Sequence, residues 1–366
     1  MIDRRLFTNF DWKLLGLVVM IVAIGIVNIS SASASYQITG TPYYLKQLYW
    51  TIGGMMLVAA VCSIDYHLFE DVAYWFYGLL LVLLIAVLLV GKTSMGATRW
   101  LNLGLFTVQP SEPMKIVIII TLARFFTHYP MFNGLRLKDL VYPFLLVGTP
   151  ALLIMKQPDL GTAILVMLVA CSIIVFVGIR WKTAVALCAA AVPAVYLGWN
   201  FYLRDYQKNR ILNFLDPERD PLKTGYHIIQ SKIAVGSGGF WGKGFMHGTQ
   251  TQLRFLPEQH TDFAFSVFSE EWGFAGCLML LFFYLLLILW GLQIADRCND
   301  RFGSLVAVGV TAMLFWHVII NIGMVIGIFP VVGVPLPFFS YGGTSMVTSM
   351  VGIGILLNIR MRRFMF

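Results

Sequence analysis

Charged residues are scarce in this chain of 366 residues: they make up 12% of it, whereas 58% of the residues are hydrophobic. A soluble domain carries roughly 25% charged residues. The composition therefore excludes an ordinary soluble enzyme, and it excludes a soluble domain with a single anchor. The mean hydropathy of +0.78 agrees with this. We predict a polytopic membrane protein.

Cysteine is also rare, and the five cysteines lie in or beside apolar runs without the spacing of metal ligands or of a disulfide framework. HExxH, P-loop and dinucleotide-binding motifs are missing from the sequence. The net charge of +8 does not indicate nucleic acid, because Lys and Arg collect at the ends of apolar runs, as topology signals do. The sequence thus gives no sign of a zinc site, a nucleotide site or a nucleic-acid partner.

Long apolar runs recur along the whole chain, and a spanning helix needs about 20 mostly apolar residues. They predict an all-α membrane protein with about ten transmembrane helices, forming a single domain over residues 1–366. One long polar segment, 201–263, interrupts them, and loops of this length are usually functional. The predicted spans are 12–31, 44–62, 72–90, 114–127, 140–156, 160–179, 183–200, 264–292, 304–329 and 341–359.

The orientation follows from the short loops, where Lys and Arg are more frequent on the side of the two termini. Cytoplasmic loops carry an excess of Lys and Arg. We therefore expect both termini in the cytoplasm and the 201–263 loop outside. The turn at 63–71, which holds Asp65, Glu70 and Asp71 without Lys or Arg, does not fit this rule.

Asp262 stands where the long polar loop meets an apolar helix. An ionisable side chain at a membrane boundary is costly without partners and is a candidate functional group. A polar stripe, Asp262, Ser266, Ser269, Glu270 and Gly273, runs along the helix at spacings of three or four residues. This stripe is expected to face other helices or a water-filled cleft. The alternative is that Asp262 simply caps the helix.

A second cluster lies between the third and fourth predicted spans, at 96–100 and 109–115. Ser111 is the expected N-cap of the fourth helix, and Lys115 falls in its first turn, where the helix dipole disfavours a cation. Arg99, Lys115 and the helix N-terminus could form an anion site suited to phosphate or pyrophosphate. Alternatively, Lys115 pairs with Glu112 three residues earlier.

Two further segments are expected on the exterior side. Asp159 is the expected N-cap of the sixth helix, and capping alone would explain it. Residues 330–344 contain three prolines and three glycines, which break helix. Irregular backbone at membrane depth is tolerated only where protein or a cavity surrounds it. We predict a re-entrant segment before the last helix, with a plain turn as the alternative.

Several motifs of the long loop and of the last loop resemble those of the SEDS family (shape, elongation, division and sporulation), and the likeness runs over nearly the whole chain. Their order and spacing make the resemblance more specific than any one motif. These motifs are Tyr206–Ile211, Phe214–Pro217, Gly225–Ser231, Gly236–Gly239, Gly242–Gly244, Gly248–Gln250, Phe255–Glu258, His260–Phe263 and Ser340–Gly343.

The resemblance implies a peptidoglycan glycosyltransferase that polymerises lipid II into glycan strands at the outer face of the cytoplasmic (inner) membrane. It also implies a role in cell elongation and rod-shape maintenance. The implied partners are a class B penicillin-binding protein, which crosslinks the product, and other membrane proteins of the elongation complex.

The family's essential aspartate matches Asp262, the expected catalytic residue. As a general base or as the ligand of a divalent cation such as Mg²⁺, Asp262 would activate the acceptor hydroxyl. No other cofactor is expected. Substrate-binding residues are expected on the fourth-span loop, at the start of the sixth helix and in the motifs of the resemblance. They are Arg99, Gln109, Glu112, Lys115, Asp159, Arg210, His260 and Ser340.

Two other functions stay open at this stage. A flippase or transporter of lipid-linked precursors could also use broken, charged loops, although transporters place ionisable residues near the bilayer midplane. The division paralogue of the same family is the second alternative.

Overall fold

The computed structural model describes residues 10–34, 40–94, 97–102, 107–129, 134–203, 205–216, 224–256 and 258–363. The topology signal at the N-terminus (Arg4 and Arg5), part of the long loop (217–223) and the last three residues lie outside them. The described part is a helical bundle. Its helices are α1 Trp12–Ala34, α2 Tyr43–Ser63, α3 His67–Val90, α4 Ser111–His128, α5 Val141–Lys156, α6 Leu160–Val177, α7 Trp181–Leu197, α8 Asp205–Leu215, α9 Thr224–Ser237, α10 Thr249–Gln252, α11 Ala264–Asp296, α12 Arg301–Val325 and α13 Gly343–Arg362.

Each predicted span corresponds to a helix whose ends lie within a few residues of the prediction. Among the described residues, nine helices are long and apolar enough to cross a membrane. The remaining predicted span, 114–127, corresponds to α4, a helix of 18 residues that carries Glu112, Lys115 and Arg124. Most of α4 is buried between other helices. The fold is thus an all-α polytopic membrane protein, with a charged helix near its centre.

A small antiparallel sheet lies between α3 and α4. Its strands are β1 Lys92–Ser94, β2 Ala97–Asn102 and β3 Thr107–Val108, in the order β1-β2-β3. Sequence analysis did not predict it. The sheet holds Arg99 above the start of α4, close to the start of α6.

The predicted exterior loop 201–263 contains regular structure that the sequence analysis did not predict. α8 and α9 lie within it, and α9 packs along α11. Ser231 of α9 is fully buried, and its Oγ lies 2.8 Å from the Oγ of Ser266. Its hydroxyl also donates to the carbonyl of Val325 at the end of α12. We call the end of the bundle that contains α9, the start of α11 and the end of α12 the cavity end, after the cavity described below.

α11 does not run straight. At Gly273 the backbone leaves helical geometry, with φ 66° and ψ −165°. Cys277 Sγ lies 3.1 Å from Ser269 Oγ, whereas eight residues of straight helix would separate them by about 12 Å. The segment Ala264–Trp272 therefore folds back against the longer segment Phe274–Asp296. This arrangement brings Asp262, just before α11, below the rim of the bundle.

The segment between α12 and α13 has no helix or strand from Pro330 to Gly342. Much of it is nevertheless buried, and helix side chains satisfy its carbonyls. Tyr284 donates to the carbonyl of Pro337 at 2.6 Å, and Gln47 donates to the carbonyl of Ser340 at 3.1 Å. A Cβ at Gly25 of α1 would lie 2.7 Å from the backbone of Phe339. This irregular backbone thus dips between the helices, as expected where protein surrounds it.

A candidate active site at the cavity end

A cavity of about 490 Å³ opens at the cavity end, between the small sheet, the helix starts and the irregular segment. Most of the residues predicted for the site line it. Its ionisable wall residues are Arg99, Glu112, Asp159, Arg210, Glu258, Asp262, His317 and Tyr341. The remaining polar lining comes from Gln109, Thr107, Thr162, Thr261, Thr344 and Ser345.

Asp262 is fixed through its backbone. The buried amide of Asn321 donates to the carbonyl of Asp262 at 2.9 Å and to the carbonyl of Val334 at 2.7 Å. Asn321 therefore links Asp262 to the irregular segment across the cavity wall. Gly333 faces the carboxylate: a Cβ there would lie 3.2 Å from Asp262 Oδ2, and its φ of 71° favours glycine. The side chain of Asp262 thus has room to project into the cavity.

The surroundings of Asp262 disfavour its charge. The pKa of this carboxyl is raised to about 6 from an ordinary 3.8, and removal from water is the largest cause. The neighbouring carboxylates of Glu258 and Asp159 contribute to the rise, while Arg99 and Arg210 oppose it. A base is most useful when its pKa lies near the working pH. Asp262 is thus suited to accept a proton near neutrality.

Arg99 and Asp159 form the wall opposite. Arg99 donates to the carbonyls of Gln157 and Pro158 and lies 3.8 Å from Asp159. Asp159 also accepts from Gln109 Nε2 at 2.9 Å. Its predicted capping role is confirmed, because it accepts from the backbone N–H of Thr162. Asp159 therefore caps α6 and lines the cavity at the same time.

Lys115 does not line the cavity, contrary to the predicted anion site. Its Nζ is buried and lies 2.9 Å from Glu112 Oε1 and 2.9 Å from His317 Nε2. Glu112 and His317 stand between Lys115 and the cavity. The alternative pairing with Glu112 is the one observed, because burial of an ammonium requires an anionic partner. The predicted N-cap is also wrong: α4 already begins at Ser111, after Pro110, without a side-chain cap.

The second oxygen of Glu112 is different. Glu112 Oε2 is buried and makes no hydrogen bond within the described residues. An unpaired buried oxygen is costly, and Glu112 belongs to the cavity wall. A substrate hydroxyl or amide would satisfy this acceptor.

His260 and Ser340 stand behind the wall. The His260 ring stacks on Tyr43 with centroids 4.3 Å apart, and its carbonyl accepts from the N–H of Tyr341. Burial lowers the pKa of His260. Ser340 accepts from the N–H of Leu336 through its Oγ. The structure thus gives both residues contacts that shape the wall, whereas Arg210 reaches the cavity from α8.

The polar stripe on α11 does not face the cavity beyond Asp262. Glu270 is fully buried and accepts from Lys243 Nζ at 2.7 Å and from the N–H of Gln250 at 3.0 Å. Glu270 thereby fastens the long loop to the segment Ala264–Trp272, which we call the short arm of α11. Of the two expectations for the stripe, other helices or a water-filled cleft, Glu270 meets the first, because the fold-back at Gly273 turns that arm toward the long loop and its helix α10.

Sequence reasoning missed three residues of this site. Glu258 lines the cavity four residues before Asp262, and its position in the quoted motif was the available signal. His317 lines the cavity from α12 and lies beside Lys115, and a histidine within an apolar run was its only signal. Asn321 follows four residues later on α12, and a buried amide in an apolar run was its only signal.

A metal cage is not formed by the residues that the structure describes, since no three His, Cys, Asp or Glu side chains are grouped among them. Mg²⁺ often uses one or two carboxylates together with substrate phosphates. Asp262, with Glu258 nearby, fits only this second arrangement.

The chain matches the FtsW/RodA/SpoVE family of cell cycle proteins over residues 11–364. It belongs to that family. The peptidoglycan glycosyltransferase MrdB of Escherichia coli K12 is 46% identical over 315 residues, which are 85% of this chain and 84% of that protein. These matches confirm the predicted membership of the SEDS family.

Solved structures of the FtsW/RodA/SpoVE family have the same fold. A chain from a peptidoglycan synthase complex that coordinates polymerization and crosslinking aligns with a TM-score of 0.84 at 32% identity, covering 98% of this chain and 99% of that one. Rod shape determining protein RodA of Thermus thermophilus aligns with a TM-score of 0.72 at 30% identity, covering 97% and 98%. The elongation branch of the family is thus favoured over the division branch.

Proposed function

We propose that this chain is a peptidoglycan glycosyltransferase of the elongation type, which joins lipid-linked disaccharides in the cavity with Asp262 as general base. The observation that carries the proposal is the position of the Asp262 carboxyl in the wall of a cavity that Arg99 and Arg210 also line. Its raised pKa of about 6, due mainly to burial, suits it to act as a base. The similarity to MrdB and RodA supplies the reaction class.

The chemistry is a displacement at the anomeric carbon of the donor. The 4-hydroxyl oxygen of the acceptor sugar forms the new bond, and the bond from the anomeric carbon to the diphosphate breaks. The hydroxyl proton passes to the carboxylate of Asp262, and the lipid diphosphate leaves with the bonding electron pair. General-base help of this kind is typically worth about 10²–10⁴-fold.

Arg99 and Arg210 are the cavity-lining cations that would stabilise the leaving diphosphate. A second carboxylate is not needed to protonate it, because a diphosphate leaves readily as an anion. Glu112 Oε2 would accept a hydrogen bond from the substrate and fix its position. Lys115, in this account, pairs with Glu112 Oε1 and so fixes the orientation of the carboxylate.

A divalent cation is an alternative use of Asp262. Four carboxylates and two arginines line the cavity, so a diphosphate would enter more readily with a cation such as Mg²⁺. Asp262 and Glu258 would hold that cation, which would supply Lewis-acid help. Chelation separates the two roles: if EDTA leaves the rate unchanged, Asp262 acts as a base.

The cellular setting is proposed on the same grounds. The Lys and Arg distribution favours both termini in the cytoplasm and the cavity on the outer face of the membrane. The proposed membrane is the cytoplasmic (inner) membrane. The likeness to a chain of a peptidoglycan synthase complex favours a class B penicillin-binding protein as the crosslinking partner, together with other membrane proteins of the elongation complex.

The test is reconstitution of the purified chain in liposomes, with and without the transpeptidase, followed by addition of lipid II. We expect glycan strands, resolved by gel electrophoresis, whose formation depends on this chain. Transport of labelled lipid II across the bilayer without any polymer would instead support the flippase alternative.

A further inference from the structure

A group of large apolar side chains is exposed on the loop 238–248, outside every candidate span. Phe240 is 54% exposed, Trp241 80%, Phe245 40% and Met246 43%. We call these four side chains the loop patch. The one lysine of the loop, Lys243, points the other way, because its Nζ reaches Glu270. The loop thus presents apolar groups outward and holds its cation in an ion pair with Glu270.

This loop is fixed to the break in α11 by backbone hydrogen bonds. Phe274 and Ala275 donate to the carbonyls of Gly239 and Phe240 at 2.9 and 3.0 Å. Lys243 and Gly244 in turn donate to the carbonyls of Glu270 and Glu271, both at 3.0 Å. The groups that the helix break leaves unpaired are therefore satisfied by the loop. The position of the loop patch is set by the position of that break.

The break lies at the end of a membrane span. From Phe274 to Asp296 the helix would be about 34 Å long at 1.5 Å per residue, enough to cross the apolar core of a bilayer. Glu271, beside the break, accepts from Ser31 near the last residue of α1. At the far end of both helices, Trp290 donates to Asp11. The loop patch therefore lies level with the membrane boundary at the cavity end.

The loop patch is also continuous with a surface that faces lipid. The rings of Phe240 and Phe274 lie 5.9 Å apart. Phe274 begins a stripe of exposed apolar side chains on α11 that continues through Leu278, Phe282, Leu285 and Leu289. Spacings of three or four residues place these side chains on one helix face. The contact between Phe240 and Phe274 therefore joins the patch to this stripe.

Aromatic side chains at this depth have a known physical use. Trp and Tyr are enriched where a membrane meets water, because their rings are amphipathic. This chain follows the rule at its other boundary, where the exposed Trp12 and Trp181 are the first residues of α1 and α7.

We propose that Phe240, Trp241, Phe245 and Met246 form a membrane-contact surface that inserts into the interface of the leaflet at the cavity end. Through the break at Gly273, this surface would hold the short arm of α11, and with it Asp262, at a constant depth relative to the lipid headgroups. The proposal concerns where the loop lies and does not depend on the reaction proposed above.

The test places a nitroxide at Trp241→Cys in the full chain, with the five native cysteines replaced, in vesicles of phosphatidylethanolamine and phosphatidylglycerol. The matched control is Asn209→Cys, at an exposed polar position of α8 in the same outer segment. We expect relaxation at 241 to respond more to oxygen than to a water-soluble nickel chelate, and the reverse at 209.

Two results would overturn the proposal. If the nickel chelate reaches the nitroxide at 241 as readily as the one at 209, the loop lies outside the membrane. If the chelate reaches 241 in the chain alone and is excluded only when the transpeptidase is added, the patch is a protein-docking surface.

A second measurement avoids the cysteine replacements. Fluorescence quenching by lipids brominated near the headgroup is compared between the native chain and Trp241→Phe. A quenchable component that disappears in Trp241→Phe supports insertion, and equal quenching in both chains contradicts it.

Discussion

Lowering the pH from 7 to 5 should reduce the rate of glycan polymerisation about ten-fold, since Asp262 must be ionised to act as a base. With a pKa of about 6, the ionised fraction falls from about 0.9 at pH 7 to about 0.1 at pH 5. With the ordinary value of 3.8, about 0.9 would still be ionised at pH 5, and the rate would hardly change.

The assay is the initial rate of lipid II polymerisation at substrate concentrations well below saturation, which reports on the free enzyme. Returning the vesicles to pH 7 should restore the rate and so exclude acid unfolding. Glu258→Gln removes a carboxylate that raises the pKa of Asp262, and should move the acid limb to lower pH. Arg99→Gln removes an opposing cation and should move it upward. A flat profile between pH 7 and 5 in the native chain would refute the reasoning.

Two further predictions concern stability. Lys115→Met or Glu112→Gln alone should lower the free energy of unfolding by about 3–5 kcal/mol, because each leaves a buried charge unpaired. The double variant should recover most of the loss in thermal unfolding, and single variants as stable as the native chain would contradict the buried pair. Gly273→Ala should cost about 1–3 kcal/mol, since its Cβ would lie 2.2 Å from Gly242 N at a φ of 66°. Gly236→Ala, with open space around it, is the control, and equal melting of both variants would contradict the fold-back.

The spans could be predicted because run length alone decides whether a segment can cross a membrane. α4 was the shortest predicted span, and the structure shows that its charges lie among other helices. The small sheet was not predicted, since β1, β2 and β3 are only two to six residues long. The fold-back at Gly273 was missed because helix-forming sequence continues on both sides of it.

The site could be predicted in part. Asp262 and Asp159 follow from charge at helix starts, and Arg99 from charge in a short segment between two spans. The structure brings all three to one cavity. The spacing along α4 could not decide whether Lys115 points into the cavity or pairs with Glu112. The long lysine side chain could reach either one. For His260, stacking on Tyr43 decides the direction, and that contact joins parts of the chain more than 200 residues apart.

The most direct test of the central claim is the polymerisation rate of Asp262→Asn, reconstituted with lipid II beside Asp216→Asn, a control at an exposed carboxylate of the same outer segment. The substitution nearly preserves size and removes the base. Both variants should fold and melt like the native chain. We predict that Asp262→Asn loses about 10²–10⁴-fold in rate while Asp216→Asn keeps it. A folded Asp262→Asn protein that polymerises lipid II at the native rate would contradict the account.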